Sequence, residues 1–161
     1  MLSPDLEETL RRALSIAGER SHEFATLEHL LLALIDDEDA IEVLKGCKVD
    51  ISELRDLLVN HIEDELSSIV NPSENLEVQP TAGFQRVVQR AIIHTQSSGR
   101  GAATGANILI AMYSERESYA VWFLNSLNMS RLDAVSFVSH GNGGTVQGTD
   151  QSDDKLADGE G

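Results

Sequence analysis

The feature that most constrains the fold is an internal repeat with an offset of 78 residues. Shifting the chain by 78 positions places "HLLLAL" (29–34) on "NILIAM" (107–112), with two identical residues. A further shift of two positions places Asp50 on Ser130, and each of these residues precedes a helical pattern. A chain that repeats one pattern in this way packs two copies of one structural unit against each other. The sequence therefore predicts two halves related by a pseudo-twofold axis.

Within each half the apolar residues predict four helices. Leu6, Leu10, Ala13 and Ala17, for example, recur at helical spacing behind the cap signal "SPD" at the start of the chain. No convincing alternation of period two is present, so the predicted fold class is all-α, a pseudo-twofold double repeat of a four-helix motif. The predicted helices span residues 3–18, 26–36, 38–46, 50–64, 81–97, 104–114, 117–127 and 130–139.

The second helix of each half is apolar on all sides. Six consecutive apolar residues, 30–35, follow Glu28 and His29, and residues 108–112 correspond to them in the second half. Helices of this kind lie at the centre of a bundle. Because Ala106-Asn107 replaces the Glu28-His29 pair in the second half, this pair is not needed to build the fold. We expect His29 and Asn107 each to hydrogen-bond a loop backbone, and Glu28 to be exposed.

The charge of the chain excludes several kinds of partner. The formal net charge is −15 with a pI near 4.5, which opposes binding to nucleic acid and to anionic membranes and favours basic protein surfaces. The single cysteine, Cys47, allows no intramolecular disulfide and is expected to be a buried, unreactive thiol. The first residues lack a secretory signal, and no apolar run approaches the ~20 residues of a membrane span. We expect a soluble, monomeric, cytoplasmic protein.

The composition also predicts the domain organisation. The repeats are expected at 1–66 and 81–140, joined by a connector, 67–80. From about residue 142 the sequence becomes rich in glycine and acid, which indicates a flexible linker, 142–161, toward further modules of a longer protein.

Motifs for catalysis or metal binding are weak. Neither a phosphate-binding loop nor a serine nucleophile motif is present. His22, Glu23, Glu28 and His29 flank one loop and could hold zinc, but their spacing matches no zinc-hydrolase pattern. A small metal-dependent hydrolase therefore remains only a rival hypothesis, and no metal or cofactor is predicted for this chain.

Other polar residues favour structural roles. His61 and His94 are single helical histidines that we expect to be exposed or hydrogen-bonded. The acidic run 36–39 is expected to be a solvated turn and helix start.

Four stretches carry a family resemblance. They are "HEFATLEHLLLALIDDEDA", "VQPTAGFQRVVQRAI", "QSSGRGAATGANILIAMYSERES" and "SRLDAVSFVSHG". They resemble the N-terminal domains of the Clp/Hsp100 unfoldases over about residues 1–141, and the ClpA type more than the ClpB or ClpC types. The double helical repeat of that family agrees with the repeat found above.

The resemblance implies a docking module on a hexameric AAA+ machine that unfolds proteins for the ClpP peptidase. It implies binding of the ClpS adaptor, which delivers N-degron substrates, and some direct contact with protein substrates. ATP and magnesium would belong to ATPase modules outside this chain, which would have no catalytic activity of its own. The alternative is a ClpB- or ClpC-like domain that binds substrates or other adaptors directly.

The resemblance also implies an adaptor-binding site. In ClpA-type domains the adaptor contacts the loop before the first buried helix and the start of the fifth helix. The matching positions are Glu23, Glu28, Thr81 and Arg86. Two acids there could pair with lysine or arginine, the helix that Thr81 caps could bind a carboxylate, and Arg86 is expected to point outward.

Overall fold

The computed structural model describes residues 1–66, 69–71, 77–99 and 101–140, and the helices within these ranges confirm the predicted pattern. All eight predicted helices are present, with ends that differ by at most two residues from those predicted. They are α1 (Pro4–Glu19), α2 (Leu27–Leu34), α3 (Glu38–Gly46), α4 (Ile51–Glu65), α5 (Ala82–Ser98), α6 (Gly105–Met112), α7 (Tyr119–Ser126) and α8 (Arg131–Ser139). Half of the predicted connector (67, 68 and 72–76) and the whole of the predicted linker, 142–161, lie outside the described residues.

Local capping determines where several of these helices begin. The Ser3 hydroxyl accepts a hydrogen bond from the Leu6 N–H at 3.1 Å, and Asp50 accepts one from the Glu53 N–H at 3.1 Å. Ser130 does the same for α8. Each of these side chains satisfies one of the N–H groups that a helix leaves without an internal partner. The helix starts were therefore predictable from short stretches of sequence.

Two short parallel pairings, which the sequence did not predict, tie the halves together. Strand β1 (Phe24–Ala25) pairs with strand β2 (Gln79–Pro80), with Ala25 opposite Pro80. An isolated parallel bridge joins Leu2 to Ala103. Leu2 and Pro80 are 78 positions apart, as are Ala25 and Ala103, so the two pairings are symmetry equivalents. Strands of two residues are too short to show an alternating pattern, which is why the all-helical prediction was incomplete here.

The packing of the helices confirms the pseudo-twofold repeat. Helix α1 packs on α2 as α5 packs on α6, and α2 packs on α4 as α6 packs on α8. Between the halves, α3 packs on α6 and α7 on α2, while α4 meets α7 and α8 meets α3. Each of these helix–helix contacts thus has its counterpart in the other half.

The two apolar helices α2 and α6 lie at the centre of this arrangement, as predicted. Leu30, Leu31, Leu34 and Ile35 are fully buried, and so are the apolar residues Ile108, Leu109 and Met112 of α6. Among the described residues, no helix is both long enough and apolar enough to cross a membrane.

One part of the acidic run 36–39 differs from the solvated turn that we predicted. Asp37 is only 2 % exposed. It caps α3 by accepting hydrogen bonds from the N–H groups of Asp39 and Ala40, and it accepts a third from the Thr9 hydroxyl at 2.6 Å. Because these three donors satisfy the carboxylate, its burial is tolerated. Asp37 therefore links α1 to α3.

Cys47 was expected to be buried and is partly exposed at the end of α3. Burial, and secondarily the charge of Asp133, raises the pKa of its thiol, which keeps the thiol in its less reactive protonated form.

Candidate functional site

The structure brings together the two segments that were predicted to form the adaptor site. The Gln79 N–H donates to the Glu23 carbonyl at 3.0 Å, and the Thr81 N–H donates to the Ala25 carbonyl at 3.0 Å. These bonds belong to the β1–β2 pairing, which places the loop before α2 beside the start of α5. Glu23 is exposed and Thr81 is half-buried. An acidic side chain and a helix N-terminus therefore lie on one surface.

Thr81 begins α5 as predicted. Its hydroxyl accepts a hydrogen bond from the Phe84 N–H at 3.2 Å. Phe84 is only 5 % exposed and belongs to the core. It therefore anchors the first turn of α5 on the core, while the N-terminal end of the helix faces outward.

Arg86 points outward, as expected, but it already has a partner. Its guanidinium donates two hydrogen bonds to Glu115, one from Nε to Oε2 at 3.0 Å and one from NH2 to Oε1 at 2.7 Å. The Arg86 side chain is 55 % exposed and that of Glu115 is 15 % exposed. This hydrogen-bonded pair lowers the pKa of Glu115 and raises the pKa of Arg86. The pair presents a fixed, accessible guanidinium edge to solvent.

Sequence reasoning missed Glu115, which lies in the loop between α6 and α7. One local signal could have indicated it, because Gly83 stands three residues before Arg86. A Cβ at position 83 would lie 3.3 Å from Glu115 Oε1 and 3.6 Å from Leu27. A glycine therefore allows the carboxylate to approach the first turn of α5.

Glu28 is not the exposed acid that was predicted. It is only 7 % exposed, and its Oε2 accepts a hydrogen bond from the Ala120 N–H at 3.0 Å. Ala120 lies in the first turn of α7, where a carboxylate is favoured by the partial positive charge of the helix terminus. The reason for the burial is that α2 is covered on this side by α4 and α7. Glu28 is thus a structural link between α2 and α7.

His61 lies next to Glu28 and corrects a second expectation. We expected it to be exposed or hydrogen-bonded, but it is only 7 % exposed and its Nε2 has no hydrogen-bond partner among the described residues. The nearest acid is Glu28, whose Oε1 is 3.9 Å from this nitrogen. The imidazole instead packs against Tyr119, with ring centroids 4.5 Å apart. His61 therefore acts mainly as an aromatic packing group between α4 and α7.

His29 caps the loop before α2, as predicted. Its Nδ1 accepts a hydrogen bond from the Thr26 N–H at 2.8 Å, and its Nε2 lies 2.9 Å from His22 Nδ1. Since a backbone N–H can only donate, Nδ1 carries no proton and Nε2–H donates to His22. Asn107 has the same role in α6, where its Oδ1 accepts from the Thr104 N–H at 2.9 Å.

The electrostatics of the histidine pair agree with this assignment. The pKa of His29 is lowered to about 3, mainly by burial and to a smaller extent by the neighbouring His22, Arg20 and His61. Burial also lowers the pKa of His22. Both imidazoles are therefore neutral at physiological pH.

The same contacts leave His29 unsuited to metal binding, because both of its ring nitrogens are used within the protein. Over residues 1–66, 69–71, 77–99 and 101–140, no group of three or more His, Cys, Asp or Glu side chains could hold a metal ion.

The eight described helices form a pseudo-twofold double repeat of a four-helix motif, whose segments are tied together by the β1–β2 pairing. Residues 1–127 match the family model of the Clp repeat (R) N-terminal domain, and the chain belongs to this family. A ClpA homolog protein from Fuscovulum blasticum is 54 % identical over 139 residues, which are 86 % of this chain and 18 % of that relative. The chain thus spans less than a fifth of the curated relative that it matches.

Solved structures with low sequence identity share the fold. The Hsp104 N-terminal domain from Candida albicans has a TM-score of 0.71 and 14 % identity, covering 84 % of this chain and 87 % of that one. The ClpV N-domain, solved in complex with a VipB peptide, has a TM-score of 0.66 and 20 % identity, covering 86 % of this chain and 84 % of that one. These likenesses confirm the predicted fold class.

Proposed function

We propose that this domain is the adaptor- and substrate-docking module of a ClpA-type unfoldase and that it binds a ClpS-type adaptor through Glu23, Thr81 and Arg86. The observation that carries the proposal is the β1–β2 pairing, which holds the loop of Glu23 against the start of α5. A partner could there meet an exposed carboxylate, a helix N-terminus and a guanidinium at once. The similarity to a ClpA homolog supports the choice of adaptor.

Glu28 has an indirect role in this proposal. Its carboxylate holds the first turn of α7 against α2, one residue beyond Leu27, which packs close to Gly83 of α5. It therefore positions the elements that carry the surface rather than touching the adaptor.

The wider context is part of the same proposal. The parent protein would be a cytoplasmic, hexameric AAA+ ATPase that uses ATP and magnesium in other modules and delivers unfolded N-degron substrates to ClpP. This domain itself would catalyse no reaction. The second candidate is direct capture of polypeptides, as the ClpV N-domain solved with a VipB peptide suggests for this fold.

Calorimetric titration with a ClpS-type adaptor tests the docking surface. Glu23→Lys replaces an attraction by a repulsion and should weaken binding by about tenfold or more. Arg86→Glu should have a similar effect, because it also leaves Glu115 facing a like charge. Glu42→Lys is the matched control, since Glu42 is exposed on α3, which packs on α6 and α8.

The outcomes are distinct. If both Glu23→Lys and Arg86→Glu unfold normally and bind the adaptor with unchanged affinity, the adaptor binds another surface. Absence of adaptor binding by the unaltered chain, together with binding of unfolded polypeptides, would favour the second candidate.

A further inference from the structure

Helix α7 exposes two large aromatic side chains on one face. Tyr119 is 56 % exposed and Trp122 is 60 % exposed, whereas the neighbouring Phe123 is only 5 % exposed. Tyr119 packs on His61 of α4, and Trp122 packs edge-on against Phe123 at a centroid distance of 5.5 Å. Together with Asp64 of α4 these rings line a cleft of about 350 Å³ between α4 and α7.

The repeat shows that the fold does not need these aromatics. With the offset of 80 residues that relates α7 to α3, Tyr119 corresponds to Asp39 and Trp122 to Glu42. Helix α3 packs on α6 as α7 packs on α2, yet it has acids at both positions. The same helix position is therefore built with carboxylates in one half and with exposed rings in the other. Exposed aromatic groups that packing does not require mark interaction surfaces.

The charge of the cleft indicates what it would bind. Asp64 is exposed at its edge and, among the described residues, forms no ion pair or hydrogen bond. Within the described part of the chain, neither lysine nor arginine lines the cleft. Aromatic faces beside a free carboxylate attract a cation, and a guanidinium can stack on an indole while it hydrogen-bonds a carboxylate.

We propose that this cleft binds an arginine side chain of a partner polypeptide, with the guanidinium between the Trp122 ring and the Asp64 carboxylate. None of the cleft residues belongs to the adaptor surface proposed above. The inference therefore gives the domain a second, separate polypeptide site.

Trp122 provides a direct probe, because it is the single tryptophan of the chain. Blocked tripeptides with leucine at both ends and arginine, glutamine or glutamate in the centre are titrated while tryptophan emission is recorded. The arginine peptide should change the emission with an affinity at least about fivefold higher than the glutamine peptide, as expected for a cation on an aromatic face beside a carboxylate. The glutamate peptide should bind weakest.

Two variants test the assignment of the residues. Asp64→Asn keeps the shape of the cleft and removes its charge, so the affinity for the arginine peptide should fall by about three- to tenfold while that for the glutamine peptide stays unchanged. Glu42→Gln removes one acid at the position of α3 that corresponds to Trp122, and it should leave both affinities unchanged. Thermal unfolding of each variant shows that the fold is retained.

Several results would overturn the proposal. Equal responses to arginine and glutamine peptides would show that the cleft does not select a cation, and equal losses in Asp64→Asn and Glu42→Gln would show only a general effect of charge. If sedimentation shows a concentration-dependent dimer that Trp122→Ala abolishes, the occupant is a second copy of this chain and the assignment to a partner is wrong. Loss of adaptor binding does not bear on these outcomes, since the two sites share no residue.

Discussion

Replacing His29 by asparagine tests whether His29 has the same hydrogen-bonding role in the first half as Asn107 has in the second. His29 is fully buried, and its Nδ1 accepts a hydrogen bond from the Thr26 N–H. Asn107 makes the equivalent bond in the second half through its amide oxygen. His29→Asn should therefore keep the loop cap, lose the bond to His22 and remove a titratable group.

The expected effect is on the pH dependence of stability. Burial lowers the pKa of His29 in the folded state to about 3, whereas the ordinary value is 6.5. Below pH 6.5 the unfolded chain binds a proton that the folded chain does not, so stability falls as pH falls. At about 1.4 kcal/mol per pH unit, His29 alone removes about 2 kcal/mol between pH 6.5 and pH 5. Above pH 6.5 the stabilising contribution of the neutral His29 is fully present.

Urea denaturation at pH 7.5, 6.5, 5.5 and 5 measures this directly. The variant should be less stable at pH 7.5 by about 1 kcal/mol, because His22 loses its hydrogen-bond partner. Between pH 6.5 and pH 5, however, it should lose about 2 kcal/mol less than the unaltered chain. His94→Asn, at an exposed position of α5, is the control for a histidine-to-asparagine substitution outside the buried pair. Parallel pH profiles for the unaltered chain and His29→Asn would refute the reasoning.

Three further substitutions test the packing by thermal or urea unfolding. Glu28→Lys places a cation in a buried site and should cost about 3–5 kcal/mol. Stability equal to that of the unaltered chain would contradict the burial of Glu28. Gly46→Ala should lower the stability by about 1–3 kcal/mol, because a Cβ at position 46 would meet an aromatic ring. Gly18→Ala is its control and should not destabilise the fold, because a Cβ at position 18 would lie 3.5 Å from the nearest side chain. Asp37→Ala removes a buried cap that accepts from three donors, and it should cost more stability than Asp50→Ala, which removes an exposed cap and should cost about 1 kcal/mol. Equal losses of stability in the two variants would argue against the link between α1 and α3.

The parts of the fold that the sequence predicted depend on short-range signals. Caps such as Ser3 and Ser130 act within three residues, and the apolar runs of α2 and α6 are continuous. The repeat added the one long-range fact that was needed, since two similar halves pack symmetrically. The role of His29 also followed from the repeat, because its counterpart Asn107 can likewise accept a hydrogen bond from the loop backbone.

The parts that could not be predicted depend on contacts between distant segments. Glu28 looked exposed because it precedes an apolar run, but the residue that buries and binds it, Ala120, is 92 positions away. The partner of Arg86, Glu115, is 29 positions away, on the far side of α6. The residues next to a carboxylate in the sequence do not show whether the N-terminus of a distant helix will donate a hydrogen bond to it.

The adaptor site was predicted from resemblance, and the structure supplied the geometry that resemblance lacks. The segments that carry Glu23 and Thr81 lie side by side, because the β1–β2 pairing joins them. The cleft with Trp122 was missed, since aromatic residues on a short apolar helix are more often part of a core.

The packing of helices of each half on helices of the other has a consequence for synthesis on the ribosome. The apolar surface of α2 is covered by α1 and α4 of its own half, but also by α6 and α7, which are made some 80 residues later. Until residue 126 has left the exit tunnel, the apolar run 30–35 of the nascent chain is only partly covered. The first half alone thus leaves part of the apolar surface of α2 exposed, and such exposure favours aggregation while the second half is translated.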